Sequence, residues 1–169
     1  MRSLIAPALL VALVLPASAA ELTISVEIPR LNVAEYHRPY VAFWLEQQGG
    51  STTTLAVWYD TKLKDREGEK WLKDMRQWWR RSGRSLEMPV DGVSGATRPV
   101  GAHSFTLRTG QAPLAELAPG DYTLQVEAAR EVGGREVVSI PFSWPLDGAF
   151  SNSAAGSQEL GTVRLDITP

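Results

Sequence analysis

The chain of 169 residues carries 17 basic and 19 acidic residues, a formal net charge of −2, and no cysteine. So mild a charge argues against nucleic acid as a partner, and the lack of thiols excludes a disulfide framework and a thiolate metal site alike. The length suits one domain with a sizeable core rather than two.

Residues 1–20 read as a secretory signal peptide. Met1-Arg2 gives a short positive start, Leu4 to Leu15 is almost wholly apolar, and Pro16-Ala17-Ser18-Ala19-Ala20 offers small residues for cleavage. The apolar run is too short to span a bilayer, and no later segment is a candidate span. Cleavage near Ala19 or Ala20 leaves residues 21–169 as a single exported domain. Without Arg2 the count is 16 basic against 19 acidic residues, a net charge of −3.

Along that domain, Glu21 to Pro29 alternates, with Leu22, Ile24, Val26 and Ile28 on one face, as a half-buried strand does. Tyr40 to Glu46 and Thr52 to Tyr59, joined through Gly49-Gly50, predict a hairpin. The period then changes. Trp71, Leu72, Met75, Trp78 and Trp79 follow helical spacing, so an amphipathic helix is expected over about 67–82, ended by Ser82-Gly83. Arg76, Arg80, Arg81 and Arg84 could attract an acidic partner or a phosphate group, but read first as a solvated helix face. His103 to Thr109, Tyr122 to Ala128, Arg135 to Trp144 and Leu160 to Thr168 complete the strands. Glu131 to Arg135 is read as an exposed hairpin tip and Asp147 to Ser157 as a loop. Seven or so strands with turn signals between them predict an all-β fold, an immunoglobulin-like antiparallel β-sandwich with one inserted helix.

Between that helix and the next strand lies Asp91-Gly92-Val93-Ser94-Gly95-Ala96-Thr97, followed by Arg98-Pro99. Asp-Gly and Ser-Gly are turn dipeptides, so 91–99 reads as a loop. Gly95 and Ala96, nearly without side chains, leave the Thr97 hydroxyl open to a second protein's active site. The stretch resembles the acceptor motif Asp-x-x-(Ser/Thr)-Gly-Ala-Thr of the FMN-bearing subunits of sodium-pumping quinone reductases and Rnf-type electron-transfer complexes. Asp91, Ser94, Gly95, Ala96 and Thr97 match its defined positions. The resemblance implies that an FMN transferase of the ApbE type joins the flavin phosphate to Thr97 as a phosphoester, with Asp91 serving recognition or orienting the loop. Arg98 is a candidate partner for the phosphate.

The mature chain as a whole is similar to the periplasmic proteins grouped as domain of unknown function 2271. The residues that carry this are Tyr40 to Glu46, Leu55 to Trp58, Lys70-Trp71-Leu72, Asp91 to Pro99, Pro119 to Tyr122, Val126 to Glu131, and Gly133 to Glu136. The resemblance implies a periplasmic flavoprotein that carries electrons between membrane or periplasmic redox partners rather than an enzyme with its own substrate. The ring would need a flat apolar surface, for which Trp71, Trp78 and Trp79 are near in sequence, though their spacing favours the core. The alternative is an unmodified immunoglobulin-like adaptor that binds another exported protein. A serine hydrolase built on Ser94 is a weaker expectation, and His37 and His103, with no carboxylate cluster at metal spacing, predict no metal site.

Overall fold

A computed structural model describes residues 19–169; the predicted signal segment before Ala19 lies outside them. Nine strands form two sheets: β1 (Glu21–Ile28), β2 (Tyr40–Gln47), β3 (Thr52–Tyr59), β4 (Ser94–Ala96), β5 (Gly101–Arg108), β6 (Gly120–Ala129), β7 (Arg135–Trp144), β8 (Phe150–Ala155) and β9 (Thr162–Thr168). One sheet has the order β5-β1-β9-β8 and the other β4-β3-β2-β6-β7. All pairings are antiparallel except β3 with β4, which is parallel.

The alternation in β1 does what the pattern predicts. Leu22, Ile24, Val26 and Ile28 meet Val163, Leu165 and Ile167 of β9 and the inward residues Val41, Phe43, Leu45, Leu124, Val126 and Ile140 of the opposite sheet in one core. Side chains of period two from two sheets bury each other, and each large residue sealed this way contributes about 1.5–3 kcal/mol. A bulge interrupts the β2–β3 ladder. Phe43 opposes Ala56 while Trp44 opposes Thr54, and the surplus residue, Leu55, joins the core.

The expected count of about seven strands falls short by β4 and β8. Phe150 to Ala155 is a strand, not a loop: it pairs with β9 as an edge and remains mostly exposed. Its Ser-Asn-Ser-Ala-Ala run has no apolar face to alternate. The expected helix over 67–82 is also corrected. Lys64–Asp74 is a 3₁₀ segment broken near its start, where Asp65 and Arg66 take left-handed angles (φ 55° and 56°), and only α1 (Arg76–Arg81) is α-helical, followed by a further 3₁₀ turn at Gly83–Ser85. Met75 stands at the non-helical junction between the first two windings (φ −77°, ψ 73°), between Leu72 and Trp78. All three are buried, Trp79 is partly buried, and Trp71 is left 47% exposed.

This insert lies on the outer face of the five-stranded sheet. There Leu72, Met75 and Trp78 form a second core with Ala42, Trp44, Val57, Tyr59 and Ala129. β2 is consequently buried on both faces, which is why Ala42 and Trp44 between its inward residues are as inaccessible as they are. Met75, the residue ahead of α1, supplies no side-chain cap. Glu127 of β6, fully buried, supplies it instead: its carboxylate accepts from the amides of Gln77 (3.1 Å) and Trp78 (2.7 Å) and pairs with Arg135 at 2.7 Å. Two orphan amides at a helix start are thereby satisfied by a negative group where the helix dipole favours one.

The β6–β7 hairpin tip is exposed from Glu131 to Gly133, as predicted, but anchored from below. Arg130 and Glu159, 5% and 4% exposed at the side chain, pair at 2.8 Å, and Glu159 also accepts from the Gly134 amide. Gly133 must be glycine because a Cβ there would stand 2.4 Å from the Arg130 guanidinium carbon. Next to this pair Glu136 accepts from the amides of Ser157, Gln158, Glu159 and Leu160, tying β7 to the turn before β9.

Two outcomes follow for stability. Glu127→Ala should lower the free energy of unfolding by about 2–3 kcal/mol, read from urea unfolding, because it strands two amides and Arg135 at once. Burial tends to raise the Glu136 carboxyl, but the amides of Ser157, Leu160 and Gln158 outweigh it and hold the group below its ordinary 4.5. Its contribution is complete above that ordinary value and is lost as the pH falls through the depressed folded one. Unfolding followed from pH 6 down to about pH 2 should show an acid limb that Glu136→Gln makes shallower.

Candidate functional site

The segment expected to be a loop at 91–99 is only partly one. A turn forms first: Val93 and Ser94 donate their amides to the Val90 carbonyl, and the Val90 amide donates back to the Ser94 hydroxyl at 2.8 Å. Gly92, at φ +72° with nothing near its α-carbon, lets the turn close. Ser94–Ala96 then runs parallel to the edge of β3, registered Val57–Ser94, Trp58–Gly95 and Tyr59–Ala96. The Val57 amide donates to the Val93 carbonyl and the Thr97 amide to the Tyr59 carbonyl, so backbone bonds clamp the segment at both ends.

Each position in the segment has a local reason. Gly95 faces Trp58, and a Cβ would lie 3.2 Å from the indole Cδ1, tight enough to displace the ring. Val93 is buried in the second core, while Asp91 and Gly92 stay exposed in the turn. Arg98 is exposed with its guanidinium over the Trp58 ring, 5.2 Å from the centroid, a cation–π contact. Thr97 itself is half-buried.

Thr97 and Ala96 stand on the rim of a cleft of about 460 Å³. The cleft forms at the end of the five-stranded sheet where β2 begins and β3, β4 and β6 finish. Tyr36, Tyr40, Leu63 and Trp71 provide its apolar surface; Arg38, Lys62 and Arg130 face Asp60, Asp74 and Glu131, so its charges nearly cancel. Burial, ahead of the opposing hydrogen bond from the Asp60 backbone, raises the Tyr40 phenol above its ordinary value and keeps it neutral. At one side His37 lies 2.7 Å from Glu35 and 3.6 Å from Glu131. Arg130 contributes something unusual: its Nη1 is buried and lacks any hydrogen-bond partner among the described residues. Its bond to Glu159, foremost, raises it further above the ordinary arginine value, so the donor is a charged one.

Of the candidate residues, then, Ala96 and Thr97 line the cleft, Ser94 and Gly95 shape the strand that delivers them, Asp91 is exposed in the turn before it, and Arg98 lies over Trp58. Trp78 belongs to the second core and Trp71 to the cleft. The Ser94 hydroxyl is engaged by Val90, His103 bonds the Pro99 carbonyl at 2.7 Å, and His37 lies among carboxylates, so no serine–histidine pair is assembled. Among the described residues no group of three or more His, Asp or Glu side chains is placed to hold a metal ion. Tyr36, Leu63 and Arg130 escaped the sequence reading. Their signal was being large and apolar, or charged, without a place in either period.

Residues 21–162 match the family model described as "Predicted periplasmic protein (DUF2271)". The chain belongs to this family. This DUF2271 chain matches no curated protein. Among solved structures it is similar to human GIVD cytosolic phospholipase A2, seen in complex with methyl gamma-linolenyl fluorophosphonate, at 9% identity and a TM-score of 0.33. The same enzyme with that inhibitor and terbium chloride matches at 11% identity and the same TM-score. The match covers 89% of the DUF2271 chain but 17% of the enzyme, and so weak a likeness carries no inference about chemistry. Among the described residues no helix is long and apolar enough to cross a membrane.

The 3₁₀ segment sets one wall of the cleft through Trp71, and it is pinned by Gly68, where a Cβ would stand 2.0 Å from the Asp60 carbonyl oxygen. Gly68→Ala should therefore cost about 2–3 kcal/mol by overpacking against backbone, and Gly95→Ala about 1 kcal/mol, since only the Trp58 ring must yield. Equilibrium urea midpoints of the two variants would order them.

Proposed function

We propose that this protein is a periplasmic electron carrier whose Thr97 bears FMN through a phosphoester. The observation that carries the reading is the placement of Thr97: the last residue of the Asp91–Thr97 motif follows a clamped edge strand onto the rim of an aromatic-lined cleft. The donor class is a flavin dinucleotide and the catalyst an ApbE-type FMN transferase. An Oγ1–P bond forms on Thr97, the phosphoanhydride breaks, a nucleoside monophosphate leaves, and the hydroxyl proton passes to a base of the transferase.

The residues present fit the group. A cleft of about 460 Å³ lies within the roughly 300–1,000 Å³ of small-molecule sites, and it offers tyrosine and tryptophan surface. Attached there, the flavin supplies one- and two-electron transfer. The chain's own part is to present the hydroxyl, keep the ring at the surface and hold it against loss after export. Asp91, exposed in the turn before β4, is assigned to recognition by the transferase. Gly95 and Ala96, nearly without side chains, leave the approach to Thr97 open, and Arg98, over Trp58, is a reserve cation for the phosphate.

We read the scaffold as an immunoglobulin-like sandwich. Tyr122, at the start of β6, donates to the Ala118 carbonyl at 2.7 Å, the arrangement of a tyrosine corner. β3-β2-β6-β7 and β5-β1 supply the two facing sheets, with β9 beside β1.

Intact mass tests the function. Mature protein produced with an active FMN transferase should gain one FMN less one water. Thr97→Ala should gain nothing, and Thr97→Ser should retain the gain. No gain on the unaltered chain, while a known acceptor is modified in the same cells, would sink the proposal.

A further inference from the structure

Five large hydrophobic residues stand exposed among the described residues: Val33, Tyr36, Leu63, Trp71 and Val132. Three of them, Tyr36, Leu63 and Trp71, line the same cleft as Thr97. They come from the segment before β2, the segment after β3 and the 3₁₀ turn, so no one element's amphipathicity explains their meeting. Exposed apolar surface gathered in a concavity marks a place where something apolar docks.

The polar groups narrow what that is. The cations Arg38, Lys62 and Arg130 are offset by Asp60, Asp74 and Glu131, so the cleft does not select a strongly charged occupant. An occupant with wide flat faces and little net charge suits such a cleft; a phosphate or another strongly charged group does not.

Resting on the assignment of FMN to Thr97, we propose that the cleft is the berth of the tethered isoalloxazine ring. Trp71, Tyr36 and Leu63 supply its apolar contact. The phosphate stays at Thr97. A tether this short holds the ring at an effective concentration in the millimolar range, so the berth needs little affinity of its own to stay filled.

The test uses mature protein flavinylated in cells, with attachment read by intact mass and the ring read by its fluorescence. Stacking against tryptophan and tyrosine should leave the emission several-fold below that of free FMN and shielded from iodide. Trp71→Ala and Tyr36→Ala, both at exposed positions that leave the cores intact, should each brighten it and admit iodide without reducing the mass gain. Full attachment with bright emission indifferent to Trp71→Ala and Tyr36→Ala overturns the berth and leaves the attachment standing. Absence of any mass gain overturns the attachment, and the berth with it.

Discussion

A carboxylate with no solvent exposure, Glu127, is the contact on which the working end of this protein depends. It leaves the outer face of β6, binds two amides at the start of α1 and pairs with Arg135. A six-residue helix has too few internal bonds to persist alone. Fastened this way it seats Trp78 and Met75 on the sheet, which fixes where the preceding 3₁₀ segment and the following turn must lie. The first carries Trp71, the second leads to β4 and Thr97. One buried charge in the sheet therefore helps to position both Trp71 and Thr97 at the cleft.

The hairpin tip shows the same economy. Arg130 and Arg135 are five residues apart on either side of Gly133-Gly134, and each is bound to a carboxylate: Glu159 for one, Glu127 for the other. Glu136 beside them gathers four amides of the turn before β9. A chain with no cysteine thus staples its two sheets with buried and half-buried carboxylates. Buried pairs add specificity of position more dependably than stability, and position is what a cleft built from separate loops requires.

What could be read from the sequence was whatever obeys a short period with buried residues. β1, β6 and β9 alternate against a core, and the hairpin of β2 and β3 announces itself through Gly49-Gly50. Three features were not legible for separate reasons. β8 is an edge strand of small polar residues, held by ladder bonds rather than side chains, and so carries no pattern. The insert keeps the apolar spacing of a helix but changes winding at Met75, whose ψ of 73° is non-helical, and nothing in the apolar pattern marks that break. β4 pairs with β3 in parallel, through three residues that include Gly95 and Ala96, where neither propensity nor alternation has anything to act on. The cleft was further out of reach, because Tyr36, Leu63, Trp71, Thr97 and Arg130 meet only through the topology.

The motif that was legible acquires a double meaning from its geometry. Ser94 closes a turn with its hydroxyl, Gly95 is required by the Trp58 ring, and Gly92 by its positive φ. These residues would be demanded by a protein that only had to lay this edge strand on β3, so their presence alone argues for a shape rather than a modification. Thr97 and Asp91 are different: one is half-buried at the cleft rim and the other exposed in the turn, and neither is needed by the turn or the register. The chemical content of the segment is concentrated in those two side chains, and the residues between them set the distance and direction from one to the other. Arg98 belongs with the shaping residues while it stacks on Trp58. Drawing it toward a phosphate on Thr97 would forfeit a cation–π contact worth about 0.5–1 kcal/mol, less than a charge-assisted hydrogen bond returns. The same arginine can therefore serve the bare chain as a brace for Trp58 and the modified chain as a partner for the phosphate.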